Sequence, residues 1–94
     1  MNVIARKVLL EFAADYPEAL SPLSEWYKHV RKADYGSFAD VRADYGGADW
    51  VGGYIVFNIG GNKYRLIVMA NFQYRTFWIK HVFTHKAYDA WEPE

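Results

Sequence analysis

Near the start of the chain the apolar positions recur with helical spacing. Leu9, Phe12, Ala13 and Tyr16 fall at i, i+3, i+4 and i+7, which predicts an amphipathic helix ended by Pro17. Leu23, Trp26, Tyr27 and Val30 repeat that stripe, with Ser21 placed as N-cap and Pro22 at the first helical position, so a helical hairpin is expected. Gly36 is placed to close the second helix. Ser37, followed three residues later by Asp40, resembles a capping box that opens a short third helix through Val41 and Arg42. Ahead of all three, Asn2 to Ala5 is a candidate edge strand.

The pattern then changes. Tyr45 to Gly53 reads as a loop bracketed by Gly46-Gly47 and Gly52-Gly53 and holding Trp50. Tyr54 to Ile59 and Lys63 to Phe72 read as strands joined by Gly60-Gly61-Asn62, residues suited to the positive φ of a tight hairpin. A glycine-free turn at Gln73 to Arg75 leads to a third strand, Thr76 to Phe83, and the short connections make the three antiparallel. Thr84 is placed to cap a short terminal helix starting at His85, and Trp91 to fold back on the core ahead of the acidic WEPE end. The expected class is α+β. One domain, residues 1–94, packs its N-terminal helices on one face of a small antiparallel sheet and closes with a short helix.

Composition agrees with a self-sufficient fold: 52% of residues are apolar and 19% aromatic. Without cysteine, disulfides, thiol nucleophiles and Cys-ligated metal are all excluded. No stretch approaches the ~20 apolar residues of a membrane span, so a cytoplasmic location without membrane contact is expected. Net charge is zero, yet the charges are unevenly spread. Residues 1–50 hold six Lys/Arg against eight Asp/Glu, whereas Val51 to Tyr88 contains Lys63, Arg65, Arg75, Lys80 and Lys86, with His81 and His85, and no acid. That span is where a polyanion would bind. The plainer alternative is a set of solvated cations that pair with acids of the first half.

Strand parity puts Lys63 and Arg65 on one face with Ile67, Met69 and Asn71, and Tyr64, Leu66, Val68 and Ala70 on the other, which should meet the helices. On an open face, an arginine fork holds a phosphate through two parallel hydrogen bonds and a lysine adds charge. Parity leaves undecided whether Lys80 or His81 shares that face with Arg65. His85, Tyr88 and Asp89 can share one side of the terminal helix, whose N-terminus would attract phosphate and disfavour imidazolium; a structural histidine bonded to Asp89 is the alternative. The histidines have no standard metal-ligand spacing, and the GGN turn opens no helix, so neither a metal centre nor a nucleotide-binding loop is expected. No cofactor is expected.

VFNIGGNKYRLI followed by WIKHVFTHKAYD resembles the HigB-type toxins of type II bacterial toxin-antitoxin modules, in which FNIGGNKYRL precedes a closing T-H-x-E-Y-D motif. WYKHVRKADYGSFADVR is also similar to that family, so the likeness spans nearly the whole chain. It implies a RelE-like fold and an mRNA interferase, an endoribonuclease that cuts mRNA in association with the translating ribosome. It also implies inhibition by a HigA-type helix-turn-helix antitoxin, with DNA contacted only through that complex. Two features depart from the family: Ala87 stands where the motif has glutamate, and the net charge is zero where ribosome-bound toxins of this fold are basic.

RNA supplies its own nucleophile, the 2'-hydroxyl, so a metal-independent nuclease needs a base, an acid and cations around the phosphate. The expected catalytic set is His85 as base or acid, Tyr88 as its partner, Arg65 as phosphate clamp and Lys63 as supporting charge. Lys80, Arg75, Asn62 and Lys86 are the expected RNA contacts, and Tyr74 and Trp50 are candidates for base stacking or for the core. The rival from another class is a non-catalytic module that holds RNA or protein on the same face.

Overall fold

The two helical stripes are realised in α1 (Lys7–Asp15) and α2 (Leu20–Lys32), which bury Leu9 and Ala13, and Leu23, Trp26 and Val30, respectively. The structure is a computed structural model and describes residues 1–93; Glu94 of the WEPE end lies outside the described residues. Pro17 ends α1 as expected but starts a 3₁₀ turn, Pro17–Ala19, that runs directly into α2. Ser21 is therefore not the N-cap. Ala19 holds that position without a side-chain bond, and Pro22 sits inside the first turn, where its missing N–H has no helical partner to lose. Nor does Gly36 close α2. The helix ends at Ala33, whose backbone is extended and leads Tyr35 into the core.

Ser37 caps α3 (Phe38–Asp44) by accepting the Asp40 N–H at 3.3 Å, and the Asp40 carboxylate accepts the N–H of Gly36 at 2.8 Å. This is the expected capping box with its return bond one residue early.

The sheet has five strands, β1 (Asn2–Ile4), β2 (Asp49–Val51), β3 (Tyr54–Ile59), β4 (Tyr64–Asn71) and β5 (Thr76–Thr84), in the order β1-β5-β4-β3-β2. All neighbours are antiparallel except β1, which pairs parallel with β5. The expected glycine-bracketed loop thus contains a strand, β2, paired with β3 through Trp50 opposite Ile55. Gly60, Gly61 and Asn62 all adopt positive φ, between 64° and 74°, in the β3–β4 turn. In the glycine-free β4–β5 turn Arg75 takes the positive φ itself, at 51°.

Phe57, Leu66, Val68, Phe77 and Ile79 face the helices and pack with Leu23, Trp26 and Val30, Trp26 meeting Phe57 edge to face at 5.3 Å. Full burial of each large side chain contributes ~1.5–3 kcal/mol, which makes this face the anchor of the fold. The other face holds Arg65 and the buried pair Val56 and Ile67. Trp91 folds back onto this second face rather than onto the helix-side core, packing against Tyr54 at 5.5 Å and Phe83 at 5.8 Å.

Candidate active site

Four local devices bring the candidate residues to one end of the sheet. Thr84 ends β5 and caps α4 (His85–Asp89) by accepting the Ala87 N–H at 3.1 Å. The His85 N–H donates to the Lys63 carbonyl at 3.2 Å, pinning α4 to the start of β4. In the register Arg65 stands between Asn58 of β3 and Phe83 of β5, so its side chain is on the face away from the helices. Its guanidinium then lies 5.8 Å from the centroid of the Tyr88 ring, a cation–π approach.

Arg65 Nη1 donates to the carbonyls of Asn62 (3.0 Å) and Tyr64 (3.2 Å). The turn thus holds the guanidinium by one nitrogen, and Nη2 and Nε have no protein acceptor among the described residues. Two such donors suit a phosphate. His85 is more than half exposed, with Nδ1 3.4 Å from the similarly exposed Asp89 carboxylate one turn on. α4 is a single turn of five residues, too short for the field expected of a helix N-terminus. What it supplies is placement. Tyr88 is braced from behind by Trp91 at 6.0 Å.

Lys63 falls outside β4, which begins at Tyr64; it is exposed at the end of the turn, and its charge is felt by Glu18 on the helix side. Its carbonyl, through the bond to His85, is the part that builds the site. Asn62 likewise contributes its carbonyl, to Arg65. Lys86 is exposed in the first turn of α4. Arg75 stands apart, in the turn at the far end of β4, where it pairs with Asp34 at 2.5 Å and bonds the Phe72 carbonyl. Tyr74, 70% exposed, shares that far turn, and Trp50 packs against Phe38 on the helix side.

Lys80 occupies a β-bulge. Ile67 pairs with His81 and Val68 with Ile79, so Lys80 has no partner on β4. The extra residue reverses the alternation: Phe77, Ile79 and Val82 face the helices, while Trp78, His81 and Phe83 share the face of Arg65. His81 stacks on Phe83 at 5.1 Å and, with Tyr54 and Trp91, lines a cavity of about 350 Å³ beside the site. Sequence reasoning assigned His81 no face. The one signal was that the apolar positions 77, 79 and 82 break a period of two.

Two polar clusters lie on the helix side. The Tyr64 hydroxyl donates to Glu18 at 2.7 Å, holding the 3₁₀ turn against β4; the bond raises the Tyr64 hydroxyl above its ordinary value and lowers the carboxyl. Asp44 accepts from Tyr35 (2.5 Å) and contacts His29 Nε2 (2.6 Å), which holds its carboxyl below the ordinary range. Burial and Asp44 push the Tyr35 hydroxyl far above its usual value and that of Tyr45 up to about 12. Among the described residues no three His, Cys, Asp or Glu side chains converge to hold a metal ion.

Residues 19–91 match the family model described as HigB toxin, RelE-like toxic component of a toxin-antitoxin system. The chain is similar to the mRNA interferase HigB of Escherichia coli O6:H1, 27% identical over 92 residues, covering 95% of this chain and 89% of that protein. Similarity to the mRNA interferase toxin HigB of Escherichia coli K12 is 29% over 92 residues, covering 95% and 88%. The mRNA interferase HigB of Shigella flexneri gives the same figures, 29% with 95% and 88% covered.

Proposed function

The chain belongs to the HigB toxin family, RelE-like toxic components of toxin-antitoxin systems, and from that premise we propose that it is an mRNA interferase, a metal-independent endoribonuclease that inhibits translation by cutting mRNA. The observation that carries this reading is the Arg65 guanidinium 5.8 Å from the Tyr88 ring where β4 abuts α4, with His85 at the head of that turn and its N–H bonded to the Lys63 carbonyl. Phosphate clamp, proton carrier and histidine are the parts that cleavage by an internal nucleophile needs.

In the reaction the 2'-oxygen attacks the adjacent phosphorus and the bond to the 5'-oxygen breaks. One proton leaves the 2'-hydroxyl and one reaches the departing 5'-oxygen, giving a 2',3'-cyclic phosphate and a 5'-hydroxyl. His85 carries one of these protons and Tyr88 the other. Arg65 holds the non-bridging oxygens through Nη2 and Nε, where negative charge grows in the transition state. Lys63 and Lys80 supply charge at the margin, and Asn62 and Lys86 flank the path of the strand; Arg75, tied to Asp34 at the far end of the sheet, lies outside that path. The names of the relatives, mRNA interferase HigB, support the choice of substrate.

The setting that follows is a cytoplasmic toxin acting on the translating ribosome and restrained by a HigA-type helix-turn-helix antitoxin, with DNA reached only through that partner. Among the described residues no helix is long and apolar enough to cross a membrane. The test is cleavage of an mRNA with and without ribosomes, with end analysis of the fragments. Ribosome-dependent 5'-hydroxyl ends are expected; wild-type rates from folded His85→Ala and Arg65→Ala proteins would overturn the assignment.

A further inference from the structure

α1 and α2 lie side by side, and the seam between their outer surfaces is a groove of about 400 Å³. Its floor is apolar, made by the buried Leu9 and Leu23. Leu10 and Leu20 form the walls and remain 45% and 46% exposed. The rim is basic, with Arg6, Lys28 and Arg31, and a second cavity of about 280 Å³ extends it between Lys28, Arg31 and Lys32. No Asp or Glu lines either cavity. Among the described residues the ion pairs involve Asp34, Asp44 and Asp89, and none reaches these four cations. Arg6 and Arg31 instead rest over the Tyr27 ring at 5.1 and 5.4 Å, which holds both guanidinium groups at the rim.

An exposed leucine pair costs free energy in water, and a row of cations without ion-pair partners among the described residues is an unmatched field. Together they describe a complementary surface: apolar along its centre and acidic along its edges. We propose that the α1–α2 groove docks an acidic amphipathic helix of the antitoxin, whose apolar side chains enter between Leu10 and Leu20 while its carboxylates meet Arg6, Lys28 and Arg31. RNA fits this surface less well, because phosphates would engage the cations and leave the leucines in water. The inference rests on the family membership that assigns this chain an antitoxin, and on neither His85 nor Arg65, since α1 and α2 cover the opposite face of the sheet from that site.

Two double variants of the full chain test it, Leu10→Asp with Leu20→Asp and Lys28→Glu with Arg31→Glu, with Leu10→Ala and Leu20→Ala as a milder apolar pair should the first misfold. Each is titrated with the purified cognate antitoxin and with a synthetic helical peptide carrying Leu at i, i+4 and i+7 and Glu between. Both changes are expected to weaken antitoxin binding by at least about tenfold. The charge variant's deficit should shrink in high salt. The peptide should bind only the wild type, and cleavage of mRNA by the free variants should be unchanged. Antitoxin affinity within about twofold of wild type for both variants would overturn the proposal. So would a charge variant that keeps the antitoxin but loses RNA or ribosome binding, which would make the groove a nucleic-acid contact. If the wild type cuts no RNA, the enzymatic reading fails while the binding measurement still decides this one.

Discussion

Arg65→Lys keeps a positive charge at the start of β4 and removes the planar fork. In the native site Nη1 is occupied by the carbonyls of Asn62 and Tyr64 at 3.0 and 3.2 Å, and Nη2 and Nε are left for the phosphate. A lysine has one ammonium for both tasks, so holding the turn carbonyls forfeits at least one of the two phosphate bonds. A charge-assisted hydrogen bond of this kind is worth ~1.5–3 kcal/mol, which predicts a kcat lower by about 10- to 150-fold. Arg65→Ala removes the charge as well and is expected to cost about 10²–10³-fold, in the range of losing an oxyanion donor. The assay is the single-turnover rate of 5'-hydroxyl fragment formation under saturating mRNA, with Tm measured on the same samples. Because the Arg65 side chain projects away from the helix-side core, Tm should move by only a few degrees, about 1 kcal/mol for a chain of this size. Wild-type cleavage by the lysine variant would show that charge suffices and the fork does nothing. Undiminished cleavage by the alanine variant at unchanged Tm would remove Arg65 from the site altogether.

Tyr88→Phe keeps the ring beside Arg65 and against Trp91 but deletes the hydroxyl; a proton-carrying role predicts a kcat lower by about 10²-fold at unchanged Tm, and a wild-type rate would reduce Tyr88 to a platform. Thr84→Val removes the oxygen that accepts the Ala87 N–H, costs about 1 kcal/mol of helix-end stability and should lower both hydrogen-exchange protection in α4 and, by about fivefold, kcat; unchanged exchange would show that the cap does not hold the turn. Stability should respond to pH from both sides through Tyr35 and Asp44. The Tyr35 hydroxyl, raised in the fold above its ordinary 10.0, contributes stability that is full below pH 10 and lost as pH rises beyond it. The Asp44 carboxyl, lowered in the fold from 3.8, contributes stability that is present above that pH and lost as pH falls through its lowered value. Tm against pH for Tyr35→Phe and Asp44→Asn should show a smaller alkaline and a smaller acid component respectively, the remainder coming from Tyr45, Tyr64 and Glu18, and curves parallel to wild type would refute the coupling.

Family resemblance and strand parity made Arg65, His85 and Tyr88 legible as candidates before any coordinates, because a motif lists residue types and parity assigns a face. Neither reports distance. That the closing turn folds over Arg65 follows from the bond between His85 N–H and the Lys63 carbonyl, which ties the first residue of α4 to the end of the β3–β4 turn, 22 residues earlier. Lys63, grouped with Arg65 by parity, belongs to the turn instead, since β4 starts one residue later. Arg75 was legible as a cation of the second turn and was expected to contact RNA; that it pairs with Asp34, 41 residues away, was not, because no local pattern links the two.

What the sequence by itself determined was local: the two helical stripes, the GGN hairpin with its three positive φ values, and the caps at Ser37 and Thr84. Each depends on sterics or on a hydrogen bond spanning a few residues, so the residue types in place decide it. Tertiary structure alone decided the rest. β1 joins β5 in parallel, Asp49–Val51 becomes a strand only by pairing with β3, and Trp91 finds its place on the face opposite the helices. The bulge at Lys80 lets Val82 reach the core and in the same step turns His81 and Phe83 toward Arg65. A strand's period of two is local, but where the period slips is set by which face offers burial, and that is a property of the packed sheet.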